Sequence, residues 1–324
     1  MHTTSRYYRN DISTLGWELT VCNALEPVKS PCRRILKHQE SYGNLLSSFL
    51  EHILPMEKVE TVMEIGGGYG CLMRDFLIKY QGMQAIMVDI STFLLDYQRR
   101  VLQPSQAAFI HVDFLELDSS ILTGIDLALM NENLGDFPVM LNIPKTGTDA
   151  GQEGQDAHLE AFDRLRQSYK LEIPEGESSA FNFGAALAVE KLCMSGIPFI
   201  FLSEHSCEAK IPQELTGIIQ VSAPGFPERI RLKGHDEYTM KFSHLEKIAN
   251  KLGYEMRRGP VADYLEPIFS ERLKAILSGP ISLSDDHETI RHFASDLFQY
   301  EYLLLEKASN HRKKESDFIS LHVP

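Results

Sequence analysis

The sequence predicts an α/β fold, in which a mainly parallel sheet is flanked by helices. Two observations predict this fold. Short apolar runs alternate with amphipathic segments between about residues 59 and 260, as expected for βαβ units. A glycine-rich turn, "EIGGGYG", follows the first apolar run directly and precedes a helical pattern. The content of 43% hydrophobic and 24% charged residues is that of a globular protein, which excludes the fibrous and disordered classes.

The predicted elements follow in a regular order. Residues before about Val59 are predicted to be helical, because "LLSSFLEHIL" has apolar positions at helical spacing. The runs "VETVMEI", "MQAIMVDI" and "AAFIHVDF" are predicted strands, separated by the helices "CLMRDFLIKY" and "STFLLDYQRRVL". "IDLALMNEN" is a fourth strand. "IPFIFLS" is a fifth, after a helix that ends at Gly196, a residue type that commonly terminates helices.

The later part of the chain predicts an insertion and a hairpin. "PKTGTDAGQEGQDA", from Pro144 to Ala157, predicts a loop that begins an insertion carrying the helix "HLEAFDRLRQSYK". Insertions after the fourth strand lie at the carboxyl edge of such a sheet, where ligands bind. "ERIRLKGHDEYTMKF" predicts a late β-hairpin, followed by the helix "SHLEKIANKLGY" and the strand "EMRRG". The predicted divisions are an N-terminal helical segment (1–58), a main domain (59–260, with an insertion at about 142–180) and a C-terminal helical extension (261–324).

Charge and composition exclude several functions. The formal net charge of −13 argues against non-specific binding to nucleic acid, which needs clustered Lys and Arg. No apolar run approaches the roughly 20 residues of a membrane span. The segment "MHTTSRYYRNDIS" lacks the features of a secretory signal, so a cytoplasmic location is expected. The five cysteines include no CxxC pair, which fits a reducing compartment and excludes a cysteine-built zinc site of ordinary spacing.

The glycine turn predicts a ligand site. A strand, a glycine turn and a helix together present backbone N–H groups to a ligand. The dinucleotide fingerprint GxGxxG, counted from Gly66, would place its third glycine at Cys71. The sequence instead has Glu64 followed by the alternating glycines Gly66, Gly68 and Gly70. A carboxylate before the turn suits a cationic cofactor and would repel the pyrophosphate of a dinucleotide.

This acidic-x-Gly-x-Gly-x-Gly pattern resembles the first motif of class I S-adenosylmethionine (SAM) methyltransferases. The resemblance implies a Rossmann-like, seven-stranded sheet, with Glu64 near the amino group of the cofactor and the glycines allowing close approach of the backbone. Asp89, at the end of the second strand, would then bind the ribose hydroxyls. Asp113 would contact the adenine amine, and Phe114 would stack on the ring. Taken alone, Asp89 fits a solvated strand end better, but Glu64, Asp89 and Asp113 together mark the ends of three successive strands at nearly regular spacing.

A narrower resemblance adds to the first. The run "GGGYGCLMRDFL" resembles the MidA-like SAM-dependent methyltransferases associated with mitochondrial complex I. "NENLGDFPV" resembles that family's motif after the fourth strand, and "MKFSHLEKIANKLGYEMRRGPVADYL" resembles its C-terminal helix and the segment after it. These stretches cover about a third of the chain. The family's "DYG" after the fifth strand is replaced by "SEHSCE". The family's protein-arginine acceptor is therefore implied by resemblance alone.

The acceptor side is predicted from residues after the fourth and fifth strands. Glu132 and Asp136 are expected to face the methyl donor and to orient a cationic acceptor by charge-assisted hydrogen bonds. Asn131 is expected at the cofactor, and it would equally suit a neutral acceptor. The alternative for this segment is a polar helix cap. His205 is a candidate base for an O or N acceptor.

No metal site is predicted. "HDE" at His235 is interpreted as a polar turn, and "DDHETIRH" at His287 to His292 as a solvated helix face. The predicted function is methyl transfer from SAM to an N or O acceptor, either a small molecule or a protein side chain. Two alternatives stay open: a non-catalytic protein that binds SAM or a partner, and an NAD-dependent oxidoreductase. The oligomeric state is not predicted.

Overall fold

The computed structural model describes residues 1–10, 20–102, 106–143, 155–174, 176–279 and 284–308. The strands in these residues are β1 (Thr61–Ile65), β2 (Gln84–Asp89), β3 (Ala107–His111), β4 (Leu127–Asn131), β5 (Met140–Ile143), β6 (Gly176–Phe181), β7 (Phe199–His205), β8 (Arg229–Arg231), β9 (Asp236–Tyr238), β10 (Tyr254–Pro260) and β11 (Tyr300–Lys307). The α-helices are α1 (Ser5–Asn10), α2 (Val21–Ala24), α3 (Tyr42–Glu51), α4 (Cys71–Lys79), α5 (Thr92–Val101), α6 (Gln155–Tyr169), α7 (Phe183–Ser195), α8 (Phe242–Lys251), α9 (Ala262–Leu265), α10 (Glu271–Ser278) and α11 (Asp285–Gln299).

Seven strands form the central sheet, in the order β10-β11-β7-β4-β1-β2-β3. β1 pairs in parallel with both β2 and β4, and the parallel pairing continues outward to β3 on one side and β7 on the other. β11 is antiparallel to both of its neighbours, β7 and β10. The predicted Rossmann-like, mainly parallel seven-stranded fold is therefore confirmed. The strand order reverses between β1 and β4, which opens a crevice at the carboxyl ends of these strands.

Helices cover both faces of the sheet. On one face α3, α4 and α11 contribute to an apolar core that includes the fully buried Leu46, Phe76 and Phe293. On the other face α7 and α8 contribute to a second core, with Val189 and Phe242. Burial of both faces explains why consecutive residues of β1 and β4 are buried, without the alternation of a strand that has one exposed face.

Two small hairpins lie outside the central sheet. β5 and β6 pair antiparallel and flank the insertion, whose predicted helix is confirmed as α6. Residues 144–154 of the predicted loop lie outside the described residues. β8 and β9 form the predicted late hairpin. The loop that follows β4 leads directly into β5, and the β8–β9 hairpin lies against it, because Gly135 is close to the carbonyl oxygen of Tyr238.

The C-terminal segment differs from its prediction. Residues 261–324 are predicted to be helical, yet β11 lies there and occupies a position inside the sheet. α11 ends at Gln299 and β11 begins at Tyr300, so neither glycine nor proline separates them. The apolar run "YLLLE" continues the preceding helical pattern in the sequence, and only pairing with β7 and β10 makes it a strand. In the described part of the chain, no helix has the length and apolar character needed to cross a membrane.

Candidate active site

A cavity of about 260 Å³ lies at the carboxyl ends of the parallel strands. Its walls come from the glycine turn, the loops after β2, β3, β4 and β7, the N-terminal segment and the β8–β9 hairpin. Ten of the eleven predicted site residues line it; Gly70 does not. The ten are Glu64, Gly66, Gly68, Asp89, Asp113, Phe114, Asn131, Glu132, Asp136 and His205.

The glycine turn has a backbone that glycine alone adopts easily. Gly66, Gly68 and Gly70 all have positive φ, at 65°, 50° and 78°. A Cβ at Gly66 would lie 2.5 Å from Asn133 Nδ2, whereas a Cβ at Gly68 would meet no atom within 4 Å. The Gly66 position is therefore closed by protein and the Gly68 position opens into the cavity. Gly70 precedes α4 as its N-terminal cap.

Glu64 is a buried carboxyl group without full hydrogen bonding. Its side chain lies at the end of β1, the residue is 2% exposed, and Oε2 has no hydrogen-bond partner among the described residues. Burial, and secondly the charge of Asp89, raise the pKa of Glu64 to about 8. A buried carboxyl group costs free energy in its charged form unless a cation or a donor compensates it. The Glu64 site is therefore suited to a positively charged ligand group.

Asp89 is fixed by two donors at the end of β2. Its Oδ1 accepts a hydrogen bond from the Ser91 N–H at 2.9 Å, and its Oδ2 accepts one from Gln98 Nε2 at 3.2 Å. The same Gln98 nitrogen lies 2.9 Å from the carbonyl oxygen of Gly68. Burial raises the pKa of Asp89 to about 6, although these donors oppose the shift. Gln98 therefore connects the glycine turn to the predicted ribose-binding carboxylate.

Asp113 and Phe114 form the next part of the wall. Asp113 accepts a hydrogen bond from the Leu115 N–H at 3.0 Å and so begins a short 3₁₀ turn, Phe114–Glu116. Phe114 is buried, and its ring meets Phe137 edge-on at 6.5 Å. Lys191, from α7, donates to the carbonyl oxygens of Phe114 and Leu115 at 2.9 and 3.1 Å. These contacts fix the position of this loop against the sheet.

Two hydroxyl groups hold the Asn131 side chain in place. Its Oδ1 accepts hydrogen bonds from the hydroxyl groups of Tyr42 and, at 2.6 Å, Ser203. The Tyr42 hydroxyl is also 2.6 Å from that of Tyr264. Asn131 Nδ2 lies 3.2 Å from Glu132 Oε1. The amide is therefore fixed in orientation, with its oxygen directed at the protein.

The Glu132 carboxylate binds the N-terminal segment. Oε2 accepts from the Val21 N–H at 2.9 Å and Oε1 from the Cys22 N–H at 2.8 Å, so the carboxylate caps the first turn of α2. Glu132 has a φ of 53°, an unfavourable angle for a residue with a Cβ. Burial raises the pKa of Glu132, and the two backbone donors oppose that shift. The predicted acceptor-orienting carboxylate is thus already engaged by backbone donors.

Asp136 and Glu237 line the cavity, and His235 lies beside both of them. The Tyr8 hydroxyl donates to Asp136 Oδ2 at 2.9 Å. The side chain of His235 is only 3% exposed and lies 3.6 Å from Asp136 Oδ1 and 3.0 Å from Glu237 Oε1. The His235 side chain therefore lies in the predicted polar turn between β8 and β9 but is buried against the loop after β4. The hairpin folds back onto the loop after β4, an approach that local sequence does not reveal.

His205 lies at the end of β7, beside Glu204. Its Nε2 is 3.9 Å from Asp296 Oδ1, and its Nδ1 is buried without a hydrogen-bond partner among the described residues. Burial lowers the pKa of His205, but the carboxylates of Asp296 and Glu204 outweigh burial, so the net shift is upward. The ring lies against Tyr300 at 3.8 Å between centroids. The Glu204 carboxylate accepts hydrogen bonds from the backbone N–H groups of Gly135 and His205.

The cavity is strongly acidic. Among the described residues its lining includes no Lys or Arg, and it includes seven carboxyl groups: Glu64, Asp89, Asp113, Glu132, Asp136, Glu204 and Glu237. Such a lining attracts cations and repels anions, and low-dielectric walls strengthen the effect.

Sequence reasoning missed several residues that shape this site. Gln98 lies on the inner face of α5, and its role depends on side-chain direction rather than on any motif. Tyr8 lies more than a hundred residues before its partner Asp136. Glu204 is not among the predicted site residues. A signal existed for Glu204, because it ends a buried strand at the same sheet edge as Asn131.

Comparisons with known proteins give distant likenesses in structure. No protein-family model and no curated protein matches the sequence. A Listeria monocytogenes protein described as a putative S-adenosylmethionine-dependent methyltransferase is 11% identical, with a TM-score of 0.45 over 82% of this chain and 98% of that one. Phosphoethanolamine N-methyltransferase 2 of Haemonchus contortus, in complex with phosphomonomethylethanolamine and S-adenosylhomocysteine, is 12% identical. Its TM-score is 0.45 over 90% of this chain and 61% of that one. The [4+2]-cyclase SpnF is 12% identical, with a TM-score of 0.44 over 84% of each chain.

These similarities are too distant to transfer a site or an activity. The function proposed for this chain rests on its own strand order and cavity. The narrower MidA-like resemblance is not confirmed, since no family model matches.

Proposed function

We propose that this chain is a SAM-dependent methyltransferase. One observation carries the proposal: the buried Glu64 carboxyl group, with Oε2 lacking a partner among the described residues, lies beside a glycine turn that opens into the cavity at Gly68. A ligand ammonium group would supply both the missing donor and the missing positive charge. SAM carries such an ammonium group and a sulfonium cation.

The remaining cofactor contacts follow from the same edge of the sheet. Asp89 retains acceptor capacity beyond its two hydrogen bonds, because a carboxylate has about four lone-pair sites. It would hold the ribose hydroxyls, and Asp113 with Phe114 would hold the adenine. NAD fits less well, because its pyrophosphate would enter a cavity whose described lining has no Lys or Arg.

When bound, SAM supplies an electrophilic methyl group on sulfur. The residues of this chain orient the two reactants and exclude water, which lowers the barrier to a displacement between them. Asp136 and His205 line the cavity beyond the glycine turn and are the groups proposed to orient the acceptor or remove its proton. Glu132 acts indirectly in this proposal, since it fixes α2 over the cavity.

The acidic lining favours an acceptor nitrogen that is positively charged in solution, such as an amine or a guanidinium. The resemblance to MidA-like proteins implies a protein arginine. The N-terminal segment favours a smaller acceptor molecule, because Thr4 and Tyr8 both donate hydrogen bonds to Asp136 and close that side of the cavity. We therefore propose an N acceptor first and an O acceptor second, to be assayed with both small amines and arginine peptides.

A binding protein without catalysis is the second candidate. The observation that favours it is that each oxygen of the Glu132 carboxylate accepts a hydrogen bond from a backbone N–H group, so this carboxylate holds the N-terminal segment rather than an acceptor. In that case the chain would bind SAM and respond to it without turnover.

Calorimetry tests the proposal. SAM and S-adenosylhomocysteine should bind to the purified full chain, and NAD should not. Asp89→Ala should weaken binding at least tenfold, whereas Asp118→Ala, at a surface turn away from the cavity, should not change it. Binding of NAD alone would overturn the proposal. Radiolabelled methyl transfer to amines and arginine peptides then separates the enzyme from the binding protein.

A further inference from the structure

Beside the cavity, the loop after β4 and the β8–β9 hairpin form a mixed cluster of possible metal ligands, of which the proposed function uses only Asp136. We call Asp136, His235 and Glu237 the His235 cluster. One ligand atom from each residue lies within 4.8 Å of the other two. Asp136 follows β4, whereas His235 and Glu237 belong to the β8–β9 hairpin, so two separate parts of the chain converge here.

We propose that the His235 cluster binds a divalent first-row transition-metal ion, such as Zn²⁺ or Mn²⁺. The two separations that involve His235 suit one ion. Ligand bonds of about 2.1 Å give ligand-to-ligand distances of about 3.0 Å in octahedral and 3.4 Å in tetrahedral geometry. The His235 Nε2 atom is 3.0 Å from Glu237 Oε1 and 3.6 Å from Asp136 Oδ1.

Charge supports a cation at this position. Two carboxylates whose oxygen atoms lie within 4.8 Å of each other repel, and His235 Nε2 lies close to both. Glu204 adds a further buried carboxyl group at this end of the cavity. The described lining of the cavity includes no Lys or Arg. One divalent ion would neutralise two of the charges.

The surrounding residues hold the ligands in place. Tyr7 stacks on the His235 ring at 4.1 Å between centroids with an interplanar angle of 19°. The Tyr8 hydroxyl donates to Asp136 Oδ2, and Oδ1 is the atom nearer to His235. Outer contacts of this kind orient metal ligands and contribute to affinity. The N-terminal segment thereby completes the site.

The ligand set indicates the type of ion. One imidazole nitrogen and two carboxylate oxygens suit Zn²⁺, Mn²⁺ or Fe²⁺ better than Mg²⁺ or Ca²⁺, which prefer oxygen ligands alone. Three protein ligands leave a coordination position for another molecule. Because Asp136 and Glu237 both line the cavity, that position would be reached from within it.

Metal binding to the tag-free, full-length chain tests this proposal directly. After treatment with a chelator and its removal, Zn²⁺ and Mn²⁺ are titrated in a calorimeter, and Co²⁺ is followed by its visible absorption. One ion per chain is expected. Glu237→Gln and His235→Gln should each lower the affinity at least tenfold. His287→Ala, on the surface of α11, is the matched histidine control and should leave the affinity unchanged.

Two further measurements keep the test decisive. The urea midpoint of each variant shows whether it is folded; if His235→Gln is not, the nearly isosteric Glu237→Gln decides. S-adenosylhomocysteine binding to Glu237→Gln should match that of the wild-type chain, so failure of the metal proposal is distinguishable from failure of the cofactor proposal. Equal metal affinity in the wild type and in Glu237→Gln would overturn the metal site. Tighter binding of an amine than of any metal ion, lost in Glu237→Gln, would also overturn it and assign the cluster to a cationic acceptor.

Discussion

Glu64 and Asp89 are two buried carboxyl groups near the ends of adjacent parallel strands, and the charge of Asp89 contributes to raising the pKa of Glu64. Burial and the charge of Asp89 together raise the pKa of Glu64 to about 8. At neutral pH the protonated form of Glu64 therefore predominates before any cation binds. The ionisation of Glu64 is therefore expected to change when a cation occupies the proposed cofactor site.

Ligand binding should release a proton. An ammonium group beside Glu64 favours the carboxylate, so binding at pH 7 should release up to about one proton, and affinity should rise with pH until about pH 8. Calorimetry of S-adenosylhomocysteine in buffers of different ionisation enthalpy measures the release. Glu64→Gln should reduce it. The same proton count in Glu64→Gln and the wild type would contradict this role for Glu64.

Glu64→Gln should stabilise the unliganded protein while weakening ligand binding. The native pKa of about 8 exceeds the ordinary value of 4.5, so the native state binds more protons between these pH values. The wild-type free energy of unfolding should therefore fall as pH rises from 4.5 to 8, by on the order of 2–4 kcal/mol from this group. The Glu64→Gln variant lacks the titrating group and should not show that loss. Urea unfolding at pH 5.5 and pH 8 measures it; a gap between the variant and the wild type that does not widen with pH would refute the shift.

Gly68→Ala should weaken cofactor binding more than it weakens the fold. The added methyl group meets no protein atom, and the positive φ costs about 1–2 kcal/mol. Gly124→Ala is the matched control, since Gly124 has a φ of 83°, equally open surroundings and a position outside the cavity lining. Both variants should lose similar stability in urea. Only Gly68→Ala should lose affinity, at least tenfold; equal affinities would exclude close approach at Gly68.

Glu132→Ala should destabilise the protein by about 2–4 kcal/mol, because the Val21 and Cys22 N–H groups lose their acceptors. Glu132→Gly removes the same carboxylate but also relieves the φ of 53°, so it should be about 1 kcal/mol less destabilising. Urea unfolding and limited proteolysis of the N-terminal segment measure the two effects. Equal stability in both variants would show that this backbone angle carries no strain.

Much of the proposed cofactor-binding part of the cavity is predictable from the sequence, because consecutive βα units bring the ends of their strands to one edge of the sheet. Glu64, Asp89 and Asp113 end neighbouring strands, so their spacing in the sequence predicts their proximity around one cavity. Their individual roles stay predictions. The elements themselves were recognisable from apolar runs and glycine positions, as with the α7 end at Gly196.

The proposed acceptor-binding part of the cavity is harder to predict, because its contacts join segments that are distant in the sequence. Glu132 and its partner Val21 in α2 are 111 residues apart in the sequence, and Tyr8 and its partner Asp136 are 128 residues apart. The hairpin carries His235 into the same region, although its sequence is typical of an exposed turn. No local pattern encodes these approaches, since they depend on how the N-terminal segment and the hairpin fold over the sheet.

The place of β11 in the sheet has a consequence for biosynthesis. β11 pairs with β7 along one edge and β10 along the other, yet residues 300–307 leave the ribosome after both partners. Until then β10 has no neighbour in the central sheet and β7 has one open edge. Unpaired strand edges invite association between chains. Late in synthesis the nascent chain therefore exposes the edges of β7 and β10 that later pair with β11. A chain truncated before Tyr300 would leave both edges unpaired permanently.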